Sequence, residues 1–274
     1  MTLLHILILA VVQGITEFLP ISSSAHLVLL HNIFEDGSLQ NAEEDRLMDI
    51  AVHIGTLLAV LIFFYHEVFA MIRGCFDIIR HRKFMVSEDS RLLTLVVTGS
   101  IPAIAVGFLL YEFVDPAILY DPHIILWTTL IFGVLLGVAD YFGKTTRSVS
   151  ELTMKDTIII GLAQCLSLIP GTSRSGITMT AGRFLGMNRV EAARFSLLLA
   201  MVITSAVGFA GILDLLKMEN VTLTLDAALA AFLSFLTAIA MIWIMMKGLT
   251  KFSFMPYVIY RLILGAILVV VLYF

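Results

Sequence analysis

Six apolar runs, at about residues 47–70, 91–112, 122–142, 191–216, 225–247 and 253–274, each reach the roughly 20 residues that a bilayer-crossing helix needs. Runs of this length leave few architectures open. In lipid every backbone N–H and C=O must find a partner inside the protein, which a helix supplies by itself and an open sheet does not. Only 14% of the residues are charged and mean hydropathy is +1.00, whereas a soluble domain carries about a quarter charged residues. A soluble enzyme with one anchor is therefore excluded. The reading is an all-α polytopic membrane protein, a single integral domain over 1–274.

Two further stretches, 2–33 and 156–187, break the pattern. In Val12-Gln-Gly-Ile-Thr-Glu-Phe-Leu-Pro-Ile-Ser-Ser-Ser-Ala-His26 an apolar half-helix runs from Gln13 to Pro20, hydroxyls follow, and a second apolar piece begins. Ala163-Gln-Cys-Leu-Ser-Leu-Ile-Pro-Gly-Thr-Ser-Arg-Ser-Gly176 repeats this, with Gln164, Pro170 and Ser173 in the places of Gln13, Pro20 and Ser23. Such a break must be enclosed by protein or line a cavity. The pieces are too short to span singly, so each stretch is expected to be a re-entrant hairpin. One in each half suggests a binding site where two repeats meet.

Charge in the connections sets the expected orientation. Connections 31–46 (Glu35, Asp36, Glu43, Glu44, Asp45) and 113–121 (Asp115, Asp121) are acidic, as is the later turn with Asp214, Glu219 and Asp226. Connections 71–91 (Arg73, Arg80, Arg82, Lys83, Arg91) and 143–155 (Lys144, Arg147, Lys155) are basic, like Arg183, Arg189, Arg194, Lys247 and Lys251. Basic connections stay in the cytoplasm. The first hairpin then enters from outside, the second from inside, and both termini are external. A hairpin plus three spans is an odd count, so the second half (about 156–274) is inverted relative to the first (about 1–142). Ser100-Ile-Pro102 through Gly107 also resembles Phe254-Met-Pro256 through Gly265. The N-terminal apolar run has no basic residue before it and is interrupted by Glu17, so a cleaved signal is not expected. Cys75 and Cys165 are read as free thiols.

Glu17 is an intramembrane carboxylate, functional by default. Gln13, one turn earlier, shares its face. Ser22, Ser23 and Ser24 stand at the start of one return helix, and Thr172, Ser173 and Ser175 at the other. Each set can cap its helix, and two helix N-termini aimed at one point make an anion site. Arg174 adds a planar five-donor cation suited to phosphate, or an ion-pair partner for Glu17. His26 lies three or four residues past Ser22 and Ser23, within reach as a general base. His53 is read as mainly structural. His5, His31, His66, His81 and His123 are read as surface residues.

With Gln13-x-x-x-Glu17, Ser23 and His26, and the complete Pro170-Gly-Thr-Ser-Arg-Ser-Gly-Ile-Thr178, the sequence resembles the undecaprenyl pyrophosphate phosphatase family, membrane enzymes of bacteria associated with bacitracin resistance. That family has Glu or Gln at the first position of its acidic motif, here Gln13, so Glu17 is the charged member. The resemblance runs over nearly the whole chain. It implies hydrolysis of undecaprenyl diphosphate to the monophosphate at a site open to the periplasm or exterior of the bacterial inner membrane. It also implies a divalent cation, Mg or Ca, with Glu17 as a ligand. On this reading Glu17, Ser23, His26 and Arg174 are catalytic, while Gln13, Ser22, Ser24, Thr172, Ser173, Ser175 and Thr178 bind substrate. Thr178 would reach the guanidinium side or the leaving phosphate. The nucleophile is Ser23, activated by His26 or Glu17, or else His26 itself or a water. The expected partners are the polyprenyl diphosphate and the bilayer, with a homodimer permitted and no nucleic acid. A secondary transporter or flippase for an anionic lipid is the alternative, since broken helices in inverted repeats also mark transporters.

Overall fold

The computed structural model describes residues 2–34, 42–113, 121–216 and 221–274. Among them the chain is all-helical, apart from one isolated bridge between Arg147 and Met187. The order is α1 (Leu3–Thr16), α2 (Ser23–Phe34), α3 (Ala42–Phe63), α4 (Tyr65–His81), α5 (Glu88–Phe113) and α6 (Pro122–Phe142), then α7 (Met154–Cys165), α8 (Arg174–Phe184), α9 (Arg189–Leu216), α10 (Val221–Gly248) and α11 (Met255–Tyr273). Four stretches are long and apolar enough to cross a bilayer: Glu88–Leu110, Pro122–Phe142, Leu225–Gly248 and Met255–Tyr273. The chain is a multi-pass membrane protein.

The two interrupted stretches fold as the polar breaks demand. The half-helices α1, α2, α7 and α8 have 14, 12, 12 and 11 residues, and α1 packs on α2 as α7 packs on α8. The first break does not face lipid: Phe18, Leu19 and Ile21 are buried in the largest core cluster, with Phe195 and Leu197–Met201 of α9. Glycine permits the closest contacts. A Cβ on Gly14 of α1 would stand 2.6 Å from the Thr237 side chain of α10, and one on Gly161 of α7 would stand 2.6 Å from the Gly99 carbonyl of α5.

Two expectations need correction. The run 47–70 is not one straight helix. The chain bends by 82° between Leu47–Phe63 and Tyr65–His81, because residues 65–81 remain apolar on one face only and pack their other face on α5. Second, the Pro102 and Pro256 segments are not equivalent. Pro102 lies inside α5, whereas Pro256 opens α11, where its missing N–H costs nothing.

At one end of the bundle the basic residues form a polar layer. Arg147 reaches Leu185 O, Glu151 O and Asp156. The fully buried Arg183 is tied to Asp140 (3.3 Å) and to the carbonyls of Lys144, Gly143 and Met187. Arg189 also pairs with Asp140 at 2.6 Å, and Asp140 accepts the Phe254 N–H at 2.9 Å. The connections carrying Glu35, Asp36, Asp115 and Glu219 lie outside the described residues.

The close approach of α7 to α5 is testable. Gly161→Val forces side-chain atoms into the Gly99 backbone and should cost about 1–3 kcal/mol, read as a fall of the apparent melting temperature in detergent. Gly248→Ala, where an added Cβ meets nothing within 4 Å, should leave it unchanged. An unmoved midpoint for Gly161→Val would refute the contact.

Candidate active site

The backbone does the same thing at both breaks. Ser22 (φ 74°) and Ser173 (φ 71°) are in the left-handed region, sparsely allowed for residues with a Cβ. Each accepts a capping hydrogen bond on its own hydroxyl, from Ala25 N at 3.4 Å and from Gly176 N at 3.1 Å. Each hydroxyl also meets the serine two residues on, Ser22 with Ser24 at 3.2 Å and Ser173 with Ser175 at 3.1 Å. Gln13 and Gln164 each stand nine residues before that serine and are fully buried. The structural counterpart of Ser173 is therefore Ser22, not Ser23. Counting from the prolines misaligns the breaks by one, because Gly171 takes up a residue at φ 87° against Thr128 and Ile125 of α6. In this register Ser23 and Arg174 hold the same position, the first residue of a return helix.

The second break is enclosed by donors. Thr128 Oγ1 donates to Pro170 O at 2.6 Å. Arg261, with no solvent exposure in the middle of α11, donates to Gly171 O at 2.8 Å and Thr172 O at 3.0 Å, and to Thr129 O and Thr128 O at 3.1 and 3.2 Å. In a trans peptide the carbonyl and the following N–H point in opposite directions. Holding Thr172 O thus turns the Ser173 N–H away from Arg261.

The two tips meet. Ser175 Oγ donates to Leu19 O at 2.8 Å. Arg174 Nη2 donates to Glu17 Oε1 at 2.5 Å and its Nη1 to Thr204 Oγ1 of α9 at 2.9 Å. The other oxygen of Glu17 accepts Gln13 Nε2 at 3.0 Å and Ser23 Oγ at 2.7 Å, and His53 Nε2 stands 3.8 Å from it. Glu17 is 7% exposed. A cavity of about 220 Å³ opens here, lined by Glu17, Ser22, Ser23, Ser24, His53, Ser173, Arg174 and Thr204 among others. A larger one of about 590 Å³ lies beside Glu67, Glu88, Arg91 and Arg194 in the polar layer. Its arginines are already engaged with carbonyls or carboxylates, and it holds none of the groups named above.

Chemically, the smaller cavity offers a hydroxyl donating to a carboxylate, two helix N-termini and a guanidinium whose three remaining N–H groups have no partner among the described residues. That set suits an anion and a nucleophilic displacement on it.

Five expected site residues, Gln13, His26, Thr172, Ser175 and Thr178, do not line this cavity. His26 does not meet Ser23: its ring contacts Ser22 O at 2.7 Å and Tyr260 OH at 2.6 Å. Thr178 bonds Arg174 O at 2.8 Å and Ser196 Oγ at 2.7 Å instead of the guanidinium. Thr172 is buried, with its hydroxyl unpartnered among the described residues. His53, Thr204 and Arg261 were missed. An arginine inside the apolar run 253–274 was a signal for the last; a threonine in α9 carries none. Cys75 and Cys165 are free thiols.

The chain matches the family described as "Bacitracin resistance protein BacA" over residues 6–267. It is 45% identical over 275 residues to an undecaprenyl-diphosphatase of Hahella chejuensis, covering 100% of this chain and 99% of that one. It is 43% identical over 274 residues to undecaprenyl-diphosphatase 1 of Pseudoalteromonas translucida, with 99% of each chain covered. The undecaprenyl-diphosphatase of Nitrosococcus oceani is 45% identical over 271 residues, with 98% of each chain covered.

Removing one member of a buried ion pair strands the other charge, at a cost of about 3–5 kcal/mol. Glu17→Gln and Arg174→Gln should each lower the apparent melting temperature in detergent. The double variant should regain part of the loss. Simple addition of the two losses would show that these charges do not compensate each other.

Proposed function

The chain belongs to the bacitracin resistance protein BacA family, and from that membership we infer that it is an undecaprenyl-diphosphatase. It hydrolyses undecaprenyl diphosphate to undecaprenyl phosphate and phosphate, supplying the carrier lipid of peptidoglycan synthesis and supporting bacitracin resistance. The observation that carries the site assignment is the 2.7 Å hydrogen bond from Ser23 Oγ to a carboxylate that Arg174 also holds.

In the proposed reaction the diphosphate sits between the two tips, its polyprenyl tail running out among the helices. Ser23 Oγ attacks the terminal phosphorus and gives its proton to Glu17. The P–O bond to the inner phosphate breaks, undecaprenyl phosphate leaves carrying the proton from Glu17, and a phosphoserine remains. Water then gives a proton to the freed Glu17 carboxylate and attacks the phosphoserine phosphorus; the P–Oγ bond breaks, phosphate leaves, and Glu17 returns the proton to Ser23 Oγ. Arg174 and the N–H groups opening α2 and α8 neutralise charge on the transferring oxygens. Phosphoryl transfer needs chiefly such positioning and neutralisation. The geometry favours Glu17 over His26 as the base, since only Glu17 touches Ser23. His26 instead holds the Ser22 carbonyl and so keeps the left-handed turn in place.

A divalent cation fits modestly. No group of three or more His, Cys, Asp or Glu among the described residues could hold one. However, the buried Gln13 Oε1 has no partner among them and lies on the residue that donates to Glu17. Mg and Ca take oxygen ligands and can complete their shells with substrate phosphates. Gln13 and Glu17 are the residues that would hold the ion, and it would add positive charge against the diphosphate.

The shared turn geometry, the equivalent glutamines and the matching contacts of α1 with α10 and α7 with α5 support two related halves, each a re-entrant hairpin followed by α3, α5, α6 or α9, α10, α11. Charge in the connections supports an inverted arrangement, with the site facing the periplasm or exterior of the bacterial inner membrane. One chain supplies every group named here, so a homodimer would add none to the site.

Phosphate release by purified protein from undecaprenyl diphosphate tests the reading. Ser23→Ala should be nearly inactive, and acid quenching of the wild type should trap phosphoserine. A mild loss without a trapped intermediate would make water the nucleophile. Arg174→Ala should lower turnover by at least about a thousandfold, and near-normal turnover would remove it as the charge clamp. A chelator should suppress turnover and added Mg restore it; indifference to both would exclude the ion.

A further inference from the structure

We propose that α4 is an interfacial helix whose basic end seats the headgroups of anionic phospholipids in the surrounding leaflet. The 82° bend after Phe63 turns α4 across the bundle instead of continuing the span. Three ties fix its level. Glu67 pairs with Arg194 near the start of α9 at 2.7 Å, Arg73 pairs with Asp89 in the first turn of α5 at 2.7 Å, and Gly74 lies close against the Asp89 and Ser90 backbone. Helix α4 therefore lies at the end of the bundle where α5 and α9 begin, in the same layer as Arg91 and Glu191.

With Gly74 turned inward, the opposite side presents Tyr65, Phe69, Ile72, Phe76 and Ile79, spaced at alternating fours and threes as one helical face requires. All five are exposed, Phe76 and Ile79 by 68% and 67%. An apolar stripe of this length facing water would be an interaction or aggregation surface. Lying at the boundary of headgroups and acyl chains it is buried, as in other amphipathic interfacial helices. The helix ends at Arg82 in the left-handed conformation, which gathers Arg80, Arg82 and Lys83 at its C-terminus, where the helix dipole favours cations. None of the three has a carboxylate within ion-pair reach among the described residues. The nearby Asp77 is engaged by Ser87 at 2.5 Å. Exposed cations beside an apolar stripe at membrane level complement anionic headgroups.

The test uses the full chain, with Trp127→Phe and Trp243→Phe to clear the background and Phe76→Trp as reporter. A parallel set with Phe69→Trp guards against a misfolded reporter. The protein is reconstituted in phosphatidylcholine vesicles containing a fraction of brominated phosphatidylcholine or brominated phosphatidylglycerol. Both lipids should quench the indole, with phosphatidylglycerol stronger by about twofold or more. The triple variant Arg80→Gln/Arg82→Gln/Lys83→Gln should lose that preference while releasing phosphate in detergent at the rate of its background. No quenching by either lipid would place α4 away from the bilayer or under a second chain and overturn the proposal. Equal quenching by the two lipids in the background protein, or a preference that survives in the triple variant, would also overturn it.

Discussion

The contact on which the site depends is the ion pair between Glu17 and Arg174. Each charge alone would be costly at that depth, and the two sit on polar breaks more than 150 residues apart in the chain. Their pairing draws the tips together and places Ser23 on one carboxylate oxygen while Arg174 holds the other. Gln13 of α1 completes the carboxylate's partners and Thr204 of α9 holds the guanidinium, so four helices are committed to one ion pair. On the proposed function, a diphosphate entering the cavity would compete for the guanidinium with Glu17, a charge of its own sign. The pair is thus both the latch of the resting site and the group that must share itself during turnover.

The breaks are stabilised where their buried carbonyls find partners inside the protein. Lipid offers no partners, so carbonyls that helices would have satisfied are taken by Thr128, Ser175 and above all Arg261, which meets two of them together with two carbonyls of α6. The left-handed serines store a modest strain of the sort found where a backbone must aim its groups at a ligand. Capping by their own hydroxyls offsets part of it.

Much of this was legible in the sequence. Polar residues clustered inside apolar runs located both breaks, and helical spacing put Gln13 on the face of Glu17. The bend at Phe64 was not legible, because hydropathy measures how apolar a segment is and residues 65–70 stay apolar after the chain has turned. The true register of the breaks was misread from the prolines, although the equal distances from Gln13 to Ser22 and from Gln164 to Ser173 contained it. His26 has the right spacing for Ser23, but spacing says only which side of a helix a ring shares. The Ser22 carbonyl and Tyr260 decide where it turns.

Ser23 and Arg174 occupy one and the same backbone setting, each the opening residue of a helix that follows a left-handed serine. The main chain therefore offers two interchangeable seats, and only the side chains tell them apart. In the proposed mechanism one seat carries the attacker and the other the counter-charge. If that mechanism holds, the line along which a phosphorus atom is approached is set by a division of labour between two side chains, on a scaffold that is itself indifferent to direction.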